Sequence, residues 1–66
     1  PPNLALFGQL ARVHELDAAE QKTLRRIARR EGLANPALLF VQPRHLRKHM
    51  ASDETAARLY LKLFGR

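Results

Sequence analysis

Residues Leu24 to Val41 read LRRIARREGLANPALLFV, and the reading of this stretch decides the fold. Leu24, Ile27 and Ala28 recur at helical spacing, while Lys22, Arg25, Arg26, Arg29 and Arg30 occupy an arc of ~140° on the other side. Gly32 is a stop signal, because glycine takes the left-handed conformation that closes a helix. Asn35-Pro36 is a start signal: Asn caps, and Pro at the first helical position gives up an N–H that has no partner there anyway. Ala37 to Val41 has no polar residue, so this second helix has no face to offer water. The pattern is helix, tight turn, helix, and the rest of the 66-residue chain has to cover the second one.

Outward from this stretch, three more segments supply the cover. Asp17-Ala-Ala-Glu20 has the spacing of a capping box, which starts the basic helix at about 18–31. Upstream, Leu4, Phe7, Leu10, Ala11 and His14 form one stripe, widened by Leu6 and Val13, and predict a helix over about 4–15 capped by Asn3. Gly8 weakens that helix and marks an expected close contact between helices. Downstream, Pro43 would clash with the carbonyl of Leu39 in a straight helix, so the segment 36–50 is expected to break near Gln42, with Leu46 and Met50 inward beyond it. Ser52 reads as the N-cap of a last helix over 53–64, with Asp53 and Glu54 in its first turn. Ala56, Leu59, Tyr60, Leu63 and Phe64 form its apolar stripe, and Gly65 ends it.

These segments predict an all-α fold: a compact orthogonal bundle of four short helices, the third broken near Pro43. Helices under about 15 residues need such packing to persist. The expected core is Phe7, Leu10, Leu24, Ile27, Ala28, Leu33, Leu38, Val41, Leu46, Leu59, Tyr60 and Leu63. Leu39 and Phe40 are expected under helix 1 or helix 4; left open to water, they would be an apolar patch for a partner. A chain of this length makes one domain, burying about 60% of its unfolded surface. The first residue is not Met, which predicts a domain excised from a longer protein. No Cys and no signal-peptide pattern occur, which favours a reducing, cytoplasmic setting.

The net charge is +6, from 12 Lys or Arg against 6 Asp or Glu, and it is unevenly spread. Between Lys22 and His49 stand eight cations, Lys22, Arg25, Arg26, Arg29, Arg30, Arg44, Arg47 and Lys48, with Glu31 the one acid among them. Such a face asks for an acidic partner, a protein surface, a nucleic acid or anionic lipid, or else is plain solvated surface.

The stretch Leu24 to Val41 resembles the helix-turn-helix of DNA-binding regulators. The matching residues are Ile27 and Ala28 in the first helix, Gly32 and Leu33 at the turn, and Leu38 and Val41 in the second. In that family the small residue lets the second helix approach, glycine makes the turn, and the apolar residues fill the wedge. The resemblance implies a DNA-binding module. The chain departs from the pattern at Glu31, where the family usually has an apolar residue. It departs again on the outward side of the second helix, where Ala34, Pro36, Leu39, Phe40 and Pro43 offer no group to pair with base edges. Contact with phosphates is therefore the form of nucleic-acid binding that it would support.

No constellation for catalysis emerges. Ser52 and Thr55 read as caps, and Asp17, Glu20, Asp53 and Glu54 as acids at exposed helix starts, not a buried carboxylate pair. His45 and His49, four apart, are half of a zinc site, but no Cys exists and His14 is the sole further histidine. They read as structural or surface residues, and His14 as half-buried with a backbone partner. The chain is thus expected to be a non-enzymatic interaction module without cofactor or metal, binding an acidic protein through its basic face beside an apolar patch. The alternative is a helix-turn-helix-like domain that grips nucleic-acid phosphates.

Overall fold

The computed structural model describes residues 3–65, with side chains from Ala5 on. The chain is all-helical: α1 (Asn3–Val13), α2 (Ala18–Arg30), a 3₁₀ helix (Pro36–Phe40), α3 (Pro43–Arg47) and α4 (Glu54–Phe64). The 3₁₀ helix is the hub. It packs on α1, α2 and α3, while α4 closes the bundle against α2 and α3. None of these helices is long and apolar enough to cross a membrane.

Local chemistry sets most boundaries. The Asp17–Glu20 capping box forms: the Glu20 N–H donates to Asp17 Oδ1 (2.8 Å) and the Asp17 N–H to Glu20 Oε1 (2.9 Å). At the end of α2, Gly32 has φ +70°, the Gly32 N–H donates to the Arg29 carbonyl and the Leu33 N–H to that of Ala28. This is the Schellman arrangement, with Leu33 folded back on the core. The same pair of bonds ends α1, from Glu15 to Arg12 and from Leu16 to Ala11, with Glu15 at φ 57°. A non-glycine residue at that position gives no stop signal in the sequence. Asn35 caps the 3₁₀ helix through the Ala37 N–H, and the expected break falls at Val41 and Gln42.

Several expectations are corrected. The third helix ends at Arg47, not residue 50, and its first half is 3₁₀. With three residues per turn, rows form at Pro36/Leu39, Ala37/Phe40 and Leu38/Val41. The first two rows turn inward, and Leu39 and Phe40 are core as expected of a covered pair. The third row turns outward: Val41 is 68% exposed and Leu38 only half-buried, so neither is the core residue that a 3.6-residue period predicted. The other ten expected core residues are buried or packed against the buried cluster, which also takes in Ala11, Leu16 and Ala56. Asp53, not Ser52, caps α4; its Oδ1 accepts from the Thr55 and Ala56 N–H groups, and Ser52 stays in the exposed turn. A Cβ on Gly8 would meet nothing within 4 Å, so no close helix contact explains that glycine. The side chains of Asn3 and Leu4, with the expected cap, lie outside the described residues.

Candidate binding face

All eight predicted cations are exposed. Helical geometry explains the five on α2: Leu24, Ile27 and Ala28 are buried, and the Arg and Lys positions between them point away from the core. Arg44, Arg47 and Lys48 flank the buried pair His45 and Leu46 on and just after α3.

The structure sorts these cations into two groups. Four are tethered. Arg26 pairs with Asp53, Lys48 with Glu31 (3.1 Å), Arg25 lies over the Phe7 ring and Arg47 over that of Tyr60, whose hydroxyl accepts from Arg47 Nη2. Lys22, Arg29, Arg30 and Arg44 have no ion pair or side-chain hydrogen bond among the described residues. Tethering also divides the face. Arg25 leans toward α1, Arg26 and Arg30 line the turn before α4, and Arg47 turns to α4 itself.

Glu31 is the residue whose role the sequence reading missed. It stands at the C-cap of α2, and its carboxylate faces inward at 12% exposure. His45 Nδ1 (3.1 Å) and Lys48 Nζ (3.1 Å) reach Oε1, and His49 Nε2 (3.1 Å) reaches Oε2. The buried His45 is held on its other side by Gln42, whose Oε1 lies 2.9 Å from Nε2. The hydrogen bond with His45, then those with Lys48 and His49, pull the Glu31 pKa from 4.5 to about 2, against the opposing effect of desolvation. The signal was present, since one acid among eight cations at a helix end invites the basic residues one turn beyond Pro43. So His45 and His49, the pair at half-zinc-site spacing, both turn to a carboxylate, and among the described residues no group of three His, Asp or Glu side chains is arranged to hold a metal ion.

Two further expectations change. Glu20 is not in an exposed helix start: it is 4% exposed, and besides the capping box it pairs with Lys62 (3.2 Å) and approaches Arg58. His14 is half-buried, but its ring stacks on Phe40 at 5.5 Å in place of the expected backbone partner. Stacking on His14 and an edge contact with Phe7 cover Phe40, and Leu39 is fully buried, so these two form no apolar patch.

Comparison with protein-family models, curated proteins and solved structures yields no match to this chain.

The chemistry of the face is therefore read from its own residues. It presents guanidinium and ammonium groups in an open setting, where positive charge attracts phosphate or carboxylate. The acids of this region, Glu31 and Asp53, are each already engaged by cations or capping N–H groups.

Proposed function

We propose that this chain is a non-catalytic helical module that binds nucleic acid by gripping its phosphates with the outer face of α2 and the adjoining turn. One observation carries this reading. Eight cations between Lys22 and Lys48 are exposed, while the single acid among them, Glu31, is turned inward and consumed by His45, Lys48 and His49. Glu31 and Asp53 offset part of this charge, and Lys22, Arg29, Arg30 and Arg44 are left without an acidic partner among the described residues. Protein interfaces draw their affinity from buried aromatic and apolar anchors, and the residues expected to supply them, Leu39 and Phe40, are in the core. Phosphate binding needs charge alone. The element after the Gly32 turn is a five-residue 3₁₀ helix of apolar residues, which favours backbone contact over reading of base edges.

The test is the salt dependence of duplex binding. Each phosphate neutralised contributes about −0.9 to the slope of log affinity against log salt. Engagement of Lys22, Arg29, Arg30 and Arg44 alone gives a slope of about −3 to −4. Arg25→Glu with Arg29→Glu should keep helical content, flatten the slope and abolish measurable binding at moderate salt. A slope near zero would overturn the reading. Capture of an acidic polypeptide with which duplex does not compete would return the acidic protein surface as the partner.

A further inference from the structure

Beside the α2 face lies a small open groove of about 380 Å³, lined by Arg26, Arg30, His49, Ser52 and Asp53. It forms where the turn between α3 and α4 folds back on the last two turns of α2. Two of its walls are fixed in advance. Arg26 is pinned by Asp53 Oδ2, and His49 by Glu31 Oε2 at 3.1 Å. Each anchoring acid also accepts other donors: the Thr55 and Ala56 N–H groups reach Asp53, and His45 and Lys48 reach Glu31. Arg30 follows Arg26 by one helical turn and has its whole guanidinium fork unused among the described residues. Ser52, displaced from the capping role by Asp53, is exposed and carries a hydroxyl donor to the same rim.

We propose that this groove is a seat for one phosphate group, held by the Arg30 fork, a remaining N–H of Arg26 and the Ser52 hydroxyl. The three donors line one groove from two sides, α2 and the turn before α4, which suits a tetrahedral anion with several acceptor oxygens, and a planar carboxylate would leave part of the set unused. Because Arg26 is already held by Asp53, little side-chain freedom is lost when the anion arrives. On the function proposed above, the occupant is a phosphate of the nucleic-acid backbone, so the source of the phosphate rests on that reading while the seat does not. The seat would make one contact a fixed point of register, with Lys22, Arg29 and Arg44 adding diffuse attraction.

Two titrations of the isotopically labelled chain separate seat from source. With inorganic phosphate alone, resonances of Arg26 and Arg30 Nε–H and of the Ser52 amide should shift saturably, while those of Lys22 and Arg44 stay put. Chloride at matched ionic strength should move none of them. Arg30→Ala should lose the saturable response at unchanged helical content, and Arg30→Lys should recover only part of it, since a point charge replaces a fork. With duplex DNA, Arg30→Ala should reduce the salt slope by about 1 and weaken binding more than Lys22→Ala does. If phosphate shifts all exposed arginines alike, or none, the seat is overturned even where DNA still binds. If phosphate fills the groove but no nucleic acid binds, the seat is supported and the nucleic-acid reading falls.

Discussion

Glu31 shows how much one side chain does at the junction of α2 and α3. Its folded-state pKa, about 2, lies below the ordinary 4.5, so its bonds to His45, Lys48 and His49 stabilise the fold above that range and are lost as pH falls from 4.5 toward 2. Thermal melting followed between pH 7 and pH 2 should therefore drop more steeply through that window for wild type than for Glu31→Gln, which keeps the shape but has no charge to lose. Equal acid limbs would remove Glu31 from its role. Backbone conformation makes a second residue-scale prediction, with opposite signs at two like positions. Gly32 at φ +70° and Glu15 at φ 57° play the same part in two Schellman turns. A Cβ on Gly32 would meet no atom, so Gly32→Ala carries only the backbone penalty, about 1 kcal/mol. Glu15→Gly removes that penalty and adds unfolded-state entropy, for a net gain of about 0.5 kcal/mol. Its contact with Lys62 survives, because the acceptor is the Glu15 backbone carbonyl. Denaturant midpoints of the two variants should move in opposite directions. Gly32 was legible because glycine announces its conformation; Glu15 was not, because nothing about glutamate does.

At the scale of elements, caps and breaks were readable where a side chain has one strong local option. The capping box, the Asn35-Pro36 start and the break before Pro43 each depend on neighbours within four residues. The inward face of the run Ala37 to Val41 was not readable, because an all-apolar run has no moment to orient it. Proline at both ends, Pro36 and Pro43, leaves room for a short tight helix, and the 3₁₀ period turns Leu39 fully inward and Val41 outward. Leu39→Ala should cost about 2–5 kcal/mol, much of what so small a domain has, whereas Val41→Ala should stay within about 0.5 kcal/mol. Urea titration of the two variants decides the period directly: an α-helical turn with Val41 inward would reverse their order. The same logic explains Ser52 and Asp53. Both are good caps in adjacent positions, and tertiary contact breaks the tie, since Asp53 also receives Arg26 from α2.

For the whole molecule, the division between core and charge is nearly complete. The core is assembled from α1, α2, the 3₁₀ helix, α3 and α4, while the unpaired cations contribute nothing to it. The fold was legible through the apolar positions. The basic face was legible as a list of residues but not as an arrangement, because the tethers to Glu31, Asp53, Phe7 and Tyr60 each connect positions 13 or more apart in sequence. This separation has a thermodynamic consequence. A ligand on the outer face of α2 touches no core residue, so it stabilises the fold only by binding the native state and not the unfolded one. At a free concentration of 100 times its dissociation constant, that linkage amounts to about 2.7 kcal/mol. For a domain of this size each kcal/mol raises the melting temperature by about 4–8 °C, so saturating duplex at low salt should raise it by about 10–20 °C. Added salt should erase the shift while leaving the melting of the free chain nearly in place, since the ligand is held by screened surface charge and the core is not. Arg25→Glu with Arg29→Glu should melt close to wild type alone, less only the contact of Arg25 with the Phe7 ring, and show a much smaller shift with duplex. A shift that survives moderate salt would mean that the ligand buries apolar surface, and would move the partner from a phosphate backbone to a protein.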